Sequence, residues 1–183
     1  MSLKHGLLGI LDCAAMTGYE LDRVFRDSLA FFWHAQTSQI YRELAAMEGL
    51  GWLSSTVVPQ SDRPNKKIYS LTPSGKEELI AWLRKDQTAD DFNTKNPFLM
   101  RLFFLGILPP EEGVATLTRY RELCADALAQ LTSEDSIEEY RQFAPSPESA
   151  TYWGMTADFG RRFYELGIEW ADESVRKIKE MRR

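Results

Sequence analysis

The 183-residue chain has the composition of a globular protein, with 44% hydrophobic residues, 27% charged residues and a formal net charge of −5. This composition excludes a largely disordered chain, and no apolar run approaches the ~20 residues that a membrane-spanning helix needs. Residues 1–86 contain 10 Lys and Arg against 10 Asp and Glu, whereas residues 87–183 contain 12 against 17. The acidic excess therefore lies in the second half, and a nucleic-acid-binding surface in the first half must concentrate its positive charge locally.

The amino-terminal segment is briefly apolar, which raises a signal peptide as an alternative to a folded helix. Asp12 interrupts the apolar run and a patterned helix follows, so we favour a cytoplasmic protein. Cys13 and Cys124 lie far apart in the sequence, and both fall on apolar helix faces. This placement predicts two free thiols and no disulfide.

The first half is predicted to contain helices around a β-hairpin. Apolar spacing indicates three helices, over residues 3–15, 19–27 and 37–48. Thr37 or Ser38 is expected to cap the third of them. The hairpin follows, with strands over 52–58 and 66–71.

A fourth helix is predicted to begin at Thr72 and Pro73, which are the residue types preferred at an N-cap and at the first helical position. Its apolar residues are expected to be buried, namely Leu79, Ile80, Trp82 and Leu83. The polar segment 87–95 is the predicted linker. These elements predict a first domain over residues 1–86.

The second half, residues 96–183, is predicted to be a helical domain. Asn96 and Pro97 open a short helix that is too apolar to be left in water, and a long helix begins after Pro109. The last helix runs from about residue 149 nearly to residue 183. Steps of three and four residues give it a heptad-like stripe, which predicts a dimerisation seam formed by Tyr152, Met155, Phe159, Phe163, Leu166, Trp170 and Ile178.

The sequence contains no recognisable catalytic motif. His5 and His34 do not lie near Cys or carboxylate pairs at metal-ligand spacing, and the chain has no phosphate-binding loop, dinucleotide fingerprint or G-x-S-x-G motif. We therefore predict a protein that is not an enzyme and has no metal ion or cofactor.

The second and third helices fit a helix-turn-helix, in which the later helix enters the DNA major groove. Gln can pair with adenine, Arg can pair with guanine or a phosphate, and Ser or Thr can do either. The alternative is a solvated helix face on which Ser38 is only a cap and Arg42 pairs with a neighbouring glutamate. The predicted DNA-contacting residues of the third helix are Gln36, Thr37, Ser38, Gln39, Tyr41 and Arg42.

The hairpin strengthens the DNA interpretation, because a basic hairpin can act as a wing along phosphates or the minor groove. Its alternative is a solvated turn, since Lys also protects edge strands from pairing. Tyr69 has two open roles, anchoring the strand or hydrogen-bonding a phosphate. The predicted wing residues are Arg63, Asn65, Lys66, Lys67 and Tyr69.

Four segments carry a resemblance to a known family: TGYELDRVF, SQIYRELAAMEGLGWL, KIYSLTPSGKEEL and NPFLMRLFFLG. In this order they resemble the PadR family of transcriptional regulators, over nearly the whole chain. The resemblance implies a mainly α-helical fold, with an amino-terminal winged helix-turn-helix carrying a two-stranded wing and a carboxyl-terminal helical dimerisation domain. It also implies a homodimeric repressor of double-stranded DNA, often autoregulatory, released by a phenolic or hydrophobic small molecule.

Two other functions remain open from the residues alone. A winged helix can serve as a protein–protein adaptor without binding DNA, in which case the acidic second half would be the partner surface. The second open function is that of a ligand sensor with an effector pocket lined by aromatic side chains. Aromatic stripes at helical spacing, however, are more often core or dimer contacts. The aromatic candidates are Phe31, Phe32, Trp33, Phe98, Phe103, Phe104, Trp153 and Trp170.

Overall fold

The computed structural model describes residues 3–29, 32–59, 65–86, 96–133 and 143–181. It is mainly helical with a small antiparallel sheet, which confirms the predicted fold class. The chain divides into two compact units, Met1–Asp91 and Phe92–Arg183. The predicted linker, 87–95, lies outside the described residues.

Four helices form most of the first unit: α1 (Leu3–Cys13), α2 (Gly18–Ser28), α3 (Thr37–Gly49) and α4 (Pro73–Leu83). Thr72 caps α4 through a hydrogen bond from the Gly75 N–H, and Pro73 is its first residue, as predicted. The predicted cap of α3 was wrong, because the N-cap is Gln36 and the helix already includes Thr37. The Gln39 side chain accepts a hydrogen bond from the Gln36 N–H at 2.8 Å, in the manner of a capping box.

Three strands form the sheet in the order β1–β3–β2, with β1 at Met16–Thr17, β2 at Leu53–Val58 and β3 at Lys66–Leu71. The β2–β3 hairpin, called the wing below, has the predicted strands. The sequence did not predict β1, which pairs with the other edge of β3. A strand of two residues has no alternating pattern that a sequence could reveal.

The core of the first unit lies around α1, which packs against α2, α3, α4 and β3. Its buried members are Leu7, Leu8, Leu11, Leu21, Phe25, Ala35, Ile40, Leu44, Met47, Leu53, Tyr69 and Leu79. The expected burial of Trp82 and Leu83 was wrong, because these side chains are 38% and 66% exposed. Leu79 is buried against the core, whereas Trp82 stacks on His5 of α1 and remains partly exposed.

The second unit contains α5 (Pro97–Phe104), a 3₁₀ turn (Leu105–Ile107), α6 (Pro110–Leu131) and α7 (Pro147–Glu180). Asn96 caps α5 as predicted, by accepting a hydrogen bond from the Leu99 N–H at 3.0 Å. Helices α6 and α7 pack along each other. Within the described ranges, no helix combines the length and the apolar character that crossing a membrane requires.

Candidate nucleic-acid interface and apolar helix face

Helix α3 buries one face and presents the opposite face to solvent. Ile40, Leu44 and Met47 are fully buried against the core. The helical period therefore directs the intervening residues outward. All six residues predicted on this face are exposed, namely Gln36, Thr37, Ser38, Gln39, Tyr41 and Arg42.

The amino-terminal end of α3 is suited to an anion. Its first turn carries no acidic residue, so the partial positive charge of the helix end is not neutralised from within the helix. Ser38 and Arg42 are exposed and make no side-chain hydrogen bond to the described part of the chain. This end can therefore offer backbone N–H groups, a hydroxyl and a guanidinium to a phosphate or a base edge.

Thr37 is exposed, yet its hydroxyl is already engaged by α2. Arg26 donates a hydrogen bond from Nη2 to the Thr37 hydroxyl at 2.7 Å, and that hydroxyl donates to the Asp22 carboxylate at 3.2 Å. Arg26 also pairs with Asp22 through Nε at 3.1 Å. These contacts fix the start of α3 on α2. They use the only donor of the Thr37 hydroxyl and one of its two lone pairs, so Thr37 can meet a base only as an acceptor.

Tyr41 is likewise partly committed within the unit. A Cβ atom at Gly18 would lie 2.7 Å from its ring, so the absence of a side chain at Gly18 allows the ring to pack on the start of α2. Burial raises the pKa of the Tyr41 phenol above its ordinary value.

The wing residues occupy different environments. Asn65 and Lys66 are exposed, and Arg63 lies outside the described residues. The Lys67 ammonium forms a salt bridge with the Glu48 carboxylate at 2.7 Å, although Lys67 is exposed as well. Tyr69 is only 7% exposed and belongs to the core, so the anchor is the role that fits and its inclusion among the DNA contacts is corrected.

Two arginines on α2 were not among the predicted residues. Arg23 and Arg26 are exposed, and Arg26 lies beside the start of α3 through its bond to Thr37. The helical period could have found them, because the buried Leu21 and Phe25 leave positions 23 and 26 on the outer face.

Most of the predicted seam on α7 is exposed. The exposed members, called the α7 stripe below, are Tyr152, Met155, Phe159, Phe163 and Leu166. Phe159 and Phe163 are 68% and 50% exposed. Gly160, Gly167 and Ala171 are buried on the side where α6 packs, about a quarter turn away at 3.6 residues per turn. Helix α7 thus has one covered face and one uncovered apolar face.

The last two predicted seam residues pack within the unit. Trp170 is half-buried and meets Phe98 and Tyr120 edge-on, at 6.2 and 5.8 Å between ring centroids. The Ile178 side chain is half-buried and reaches to 3.4 Å from where a Cβ of Gly113 would stand. Their assignment to an intermolecular seam is therefore corrected, because contacts with α5 and α6 already occupy them.

The aromatic candidates in the second unit occupy different environments. Phe98 stacks on Tyr120 at 4.2 Å, so with Trp170 these rings pack on one another. Burial, with a hydrogen bond to Cys124, raises the pKa of Tyr120 to about 12. Phe103 is 82% exposed at the end of α5. Phe31 lies outside the described residues.

The described residues contain no group of three or more His, Cys, Asp or Glu side chains placed to hold a metal ion. Cys13 and Cys124 are free thiols.

Comparisons with known proteins cover both units. Residues 7–81 match the model of the transcriptional regulator PadR-like family, and residues 94–179 match the carboxyl-terminal region called virulence activator alpha. A probable transcriptional regulator of Mycobacterium tuberculosis is 32% identical, over 100% of both chains. The negative transcriptional regulator PadR of Bacillus subtilis is 34% identical over 86% of this chain and 82% of its own.

Solved structures agree with these sequence matches. The B. subtilis PadR structure in complex with operator DNA superposes with a TM-score of 0.76, at 26% identity over 96% of this chain and 98% of that one. Its structure in complex with p-coumaric acid gives a TM-score of 0.69, at 26% identity over 97% and 98% of the two chains.

Proposed function

Because this chain belongs to the PadR-like family of DNA-binding transcriptional regulators, we propose that it is a homodimeric repressor that binds a pseudo-palindromic operator. The relatives that establish the family are named regulators and not enzymes. In the proposed complex, α3 of each protomer enters the major groove and the wing lies along the flanking backbone.

One observation carries the proposed interface: the exposed polar face of α3 begins at a helix end without acidic residues and carries Arg42. Lys66 of the wing adds a second exposed cation. The B. subtilis relative was solved on operator DNA, which supports assigning this face to DNA. Gln36, Ser38, Gln39 and Asn65 complete the proposed contact set.

The α7 stripe supports the proposed homodimer. A contiguous row of large apolar side chains on a soluble protein marks an interaction surface, and a second copy offers the same stripe to cover it. A two-fold dimer would place two copies of α3 on half-sites one helical turn apart, ~34 Å, or a multiple of that distance.

Repression and its release are proposed from the relatives. The B. subtilis protein is named a negative regulator and was solved with p-coumaric acid, so we propose a phenolic or hydrophobic effector for this chain. Tryptophan fluorescence titrated with p-coumaric acid and with hydrophobic compounds tests this. A ligand that changes fluorescence and lowers DNA affinity supports it, whereas no response to any of them contradicts it.

Fluorescence anisotropy with DNA from the protein's own promoter tests the interface. We expect Arg42→Ala to weaken binding by about 5- to 100-fold, the range for a lost base or phosphate contact. Arg84→Ala is the matched control, since Arg84 is an exposed arginine at the end of α4, away from this face. Equal affinities of the two variants, or binding that salt does not weaken, would contradict the proposed interface.

A further inference from the structure

The two lysines that begin β3 lie on opposite faces of the wing. Side chains alternate along a strand, so Lys67 shares a face with Tyr69, while Lys66 points to the other side. The register pairs Val57 with Lys67 and Ser55 with Tyr69, which places Ser55 on the same face as Lys67. The adjacent basic residues in the sequence are therefore not one basic patch.

The face that carries Lys67 meets the carboxyl-terminal end of α3. Glu48, in the last turn of α3, accepts from the Lys67 ammonium at 2.7 Å through Oε2, and from the Ser55 hydroxyl through Oε1. The same ammonium lies 5.0 Å from the centre of the Tyr69 ring. The Glu48 cluster (Glu48, Ser55, Lys67 and Tyr69) thus joins α3 to both strands of the wing.

We propose that the Glu48 cluster sets the position of the wing relative to α3, and that Lys67 is a positioning residue for DNA binding that does not itself contact a phosphate. The Glu48 carboxylate lies 2.7 Å from the Lys67 ammonium and offsets part of its charge, which weakens its attraction for phosphate. Tyr69 anchors β3 in the core, and the ion pair of Lys67 with Glu48 ties the same strand to the end of α3. The inference rests on the proposed DNA interface.

Exposed ion pairs contribute little to the stability of the fold. The effect of this pair is expected in DNA binding, because two elements must reach the operator together. Loss of the pair should weaken operator binding and leave non-specific binding unchanged. Loss of a phosphate contact should instead weaken both and reduce the salt slope by ~1.

The first experiment compares Lys67→Met with Lys66→Met in the full-length protein, by anisotropy on operator and on random DNA over a range of salt. We expect Lys67→Met to lower operator affinity about 3- to 10-fold at an unchanged salt slope, a typical coupling between contacting residues. We expect Lys66→Met to lower the affinity for both DNAs and to reduce the slope. A reduced slope for Lys67→Met, or equal operator affinity to wild type, would overturn the inference.

The second experiment reverses the charges. Lys67→Glu places two carboxylates together and should weaken operator binding more than Lys67→Met. The double variant Glu48→Lys with Lys67→Glu restores an ion pair between the same positions and should recover most of the operator affinity. No recovery would overturn the inference, since a phosphate contact is not rebuilt when the lysine stands at position 48.

Failure of the inference and failure of the interface are distinguishable. If Arg42→Ala and Lys66→Met weaken operator binding while the charge reversal gives no recovery, the interface stands and the positioning role is wrong. If neither Arg42→Ala nor Lys66→Met changes operator binding, the interface itself is wrong and the role of Lys67 falls with it.

Discussion

The two units use their apolar residues in different ways. In the first unit, Phe25 and Leu44 are fully buried in a core that α1 organises. In the second unit, Phe159 and Phe163 stand at least half exposed on a helix whose other face is covered. The first unit completes its core with its own side chains, whereas the second leaves a surface that a second chain can cover.

The exposed surfaces of the two units also differ in polarity and charge. The outer face of α3 is polar and lies in the half of the chain that has no net charge, while the α7 stripe lies in the half that carries all of the acidic excess. The first unit is thus proposed to contact DNA, and the second unit is proposed to contact a second copy of the chain. The predictions below test this division, beginning with the largest expected effect.

Charging the α7 stripe should break the dimer. The double variant Phe159→Lys with Phe163→Lys places two ammonium groups where the proposed interface would desolvate them, at a cost of several kcal/mol. We expect a monomer by light scattering at micromolar concentration, with operator affinity reduced at least 100-fold because the two half-sites are then bound separately.

The control for this variant is Glu169→Lys, an exposed position on α7 outside the stripe, which should remain dimeric. A double variant that stays dimeric, or a wild-type protein that is monomeric, would contradict the role assigned to the stripe.

Core truncations should distinguish the units by their response to concentration. Leu44→Ala in α3 and Leu117→Ala in α6 each remove a fully buried side chain, which typically costs ~2–5 kcal/mol. The proposed dimer would stabilise folded α7 by mass action, so raising the protein concentration should offset Leu117→Ala but not Leu44→Ala. Hydrogen exchange read by mass spectrometry follows the two units separately. If the stability of the two variants depended equally on protein concentration, the proposed difference between the two units would be contradicted.

A smaller effect is expected at Gly75, where α4 closely approaches the turn before β2. A Cβ there would lie 2.2 Å from the Trp52 carbonyl oxygen, a backbone atom that cannot rotate away. We expect Gly75→Ala to destabilise the first unit by ~1–3 kcal/mol, as overpacking does. Gly49→Ala is the control, because no atom lies within 4 Å of its Cβ position, and it should be neutral or stabilising by up to ~1 kcal/mol. Equal urea midpoints for the two variants would contradict this account of the packing.

The smallest expected effect is a dependence of the stability of the first unit on pH. His5 is buried, stacks on Trp82 at 4.7 Å and pairs with Glu78 at 3.0 Å. Burial lowers the pKa of His5 below its ordinary value of 6.5, outweighing the opposite effect of the hydrogen bond that its Nε2 makes to the Glu78 carboxylate. The folded state therefore favours the neutral imidazole over the charged one. The stability that the neutral His5 contributes is fully present above pH 6.5, and it is lost as the pH falls through the lowered pKa of His5.

Hydrogen exchange of α1 at pH 7 and pH 5 measures this loss, and His5→Gln should make the difference smaller. A first unit that becomes more stable on acidification would show that the charged imidazole is the favoured form.

Much of the first unit could be predicted from its sequence because its signals are local. The cap at Thr72, the inward face of α3 and the strand at Lys66–Leu71 all follow from neighbouring residues. Contacts between elements could not be predicted. The pairing of Met16–Thr17 with β3 and of Lys67 with Glu48 requires the fold, because 19 residues separate Lys67 from Glu48.

The second unit shows a different limit. Apolar periodicity identified the stripe on α7, but a heptad-like pattern does not state which chain covers each residue. Trp170 and Ile178 continue the same spacing, yet α5 and α6 occupy them, whereas Phe159 and Phe163 remain uncovered. The apolar periodicity predicts which residues share one face of the helix. Which of them are buried within the unit, and which stay free for an interface, depends on where the neighbouring helices lie.

The mass of the protein–operator complex directly tests the proposal that two protomers bind one operator. Native mass spectrometry of the full-length protein on its own promoter DNA, with a hydroxyl-radical footprint of the same complex, gives stoichiometry and spacing together. The account predicts two protomers per operator and two protected half-sites ~34 Å apart or a multiple of it. One protomer on a single protected site would contradict it.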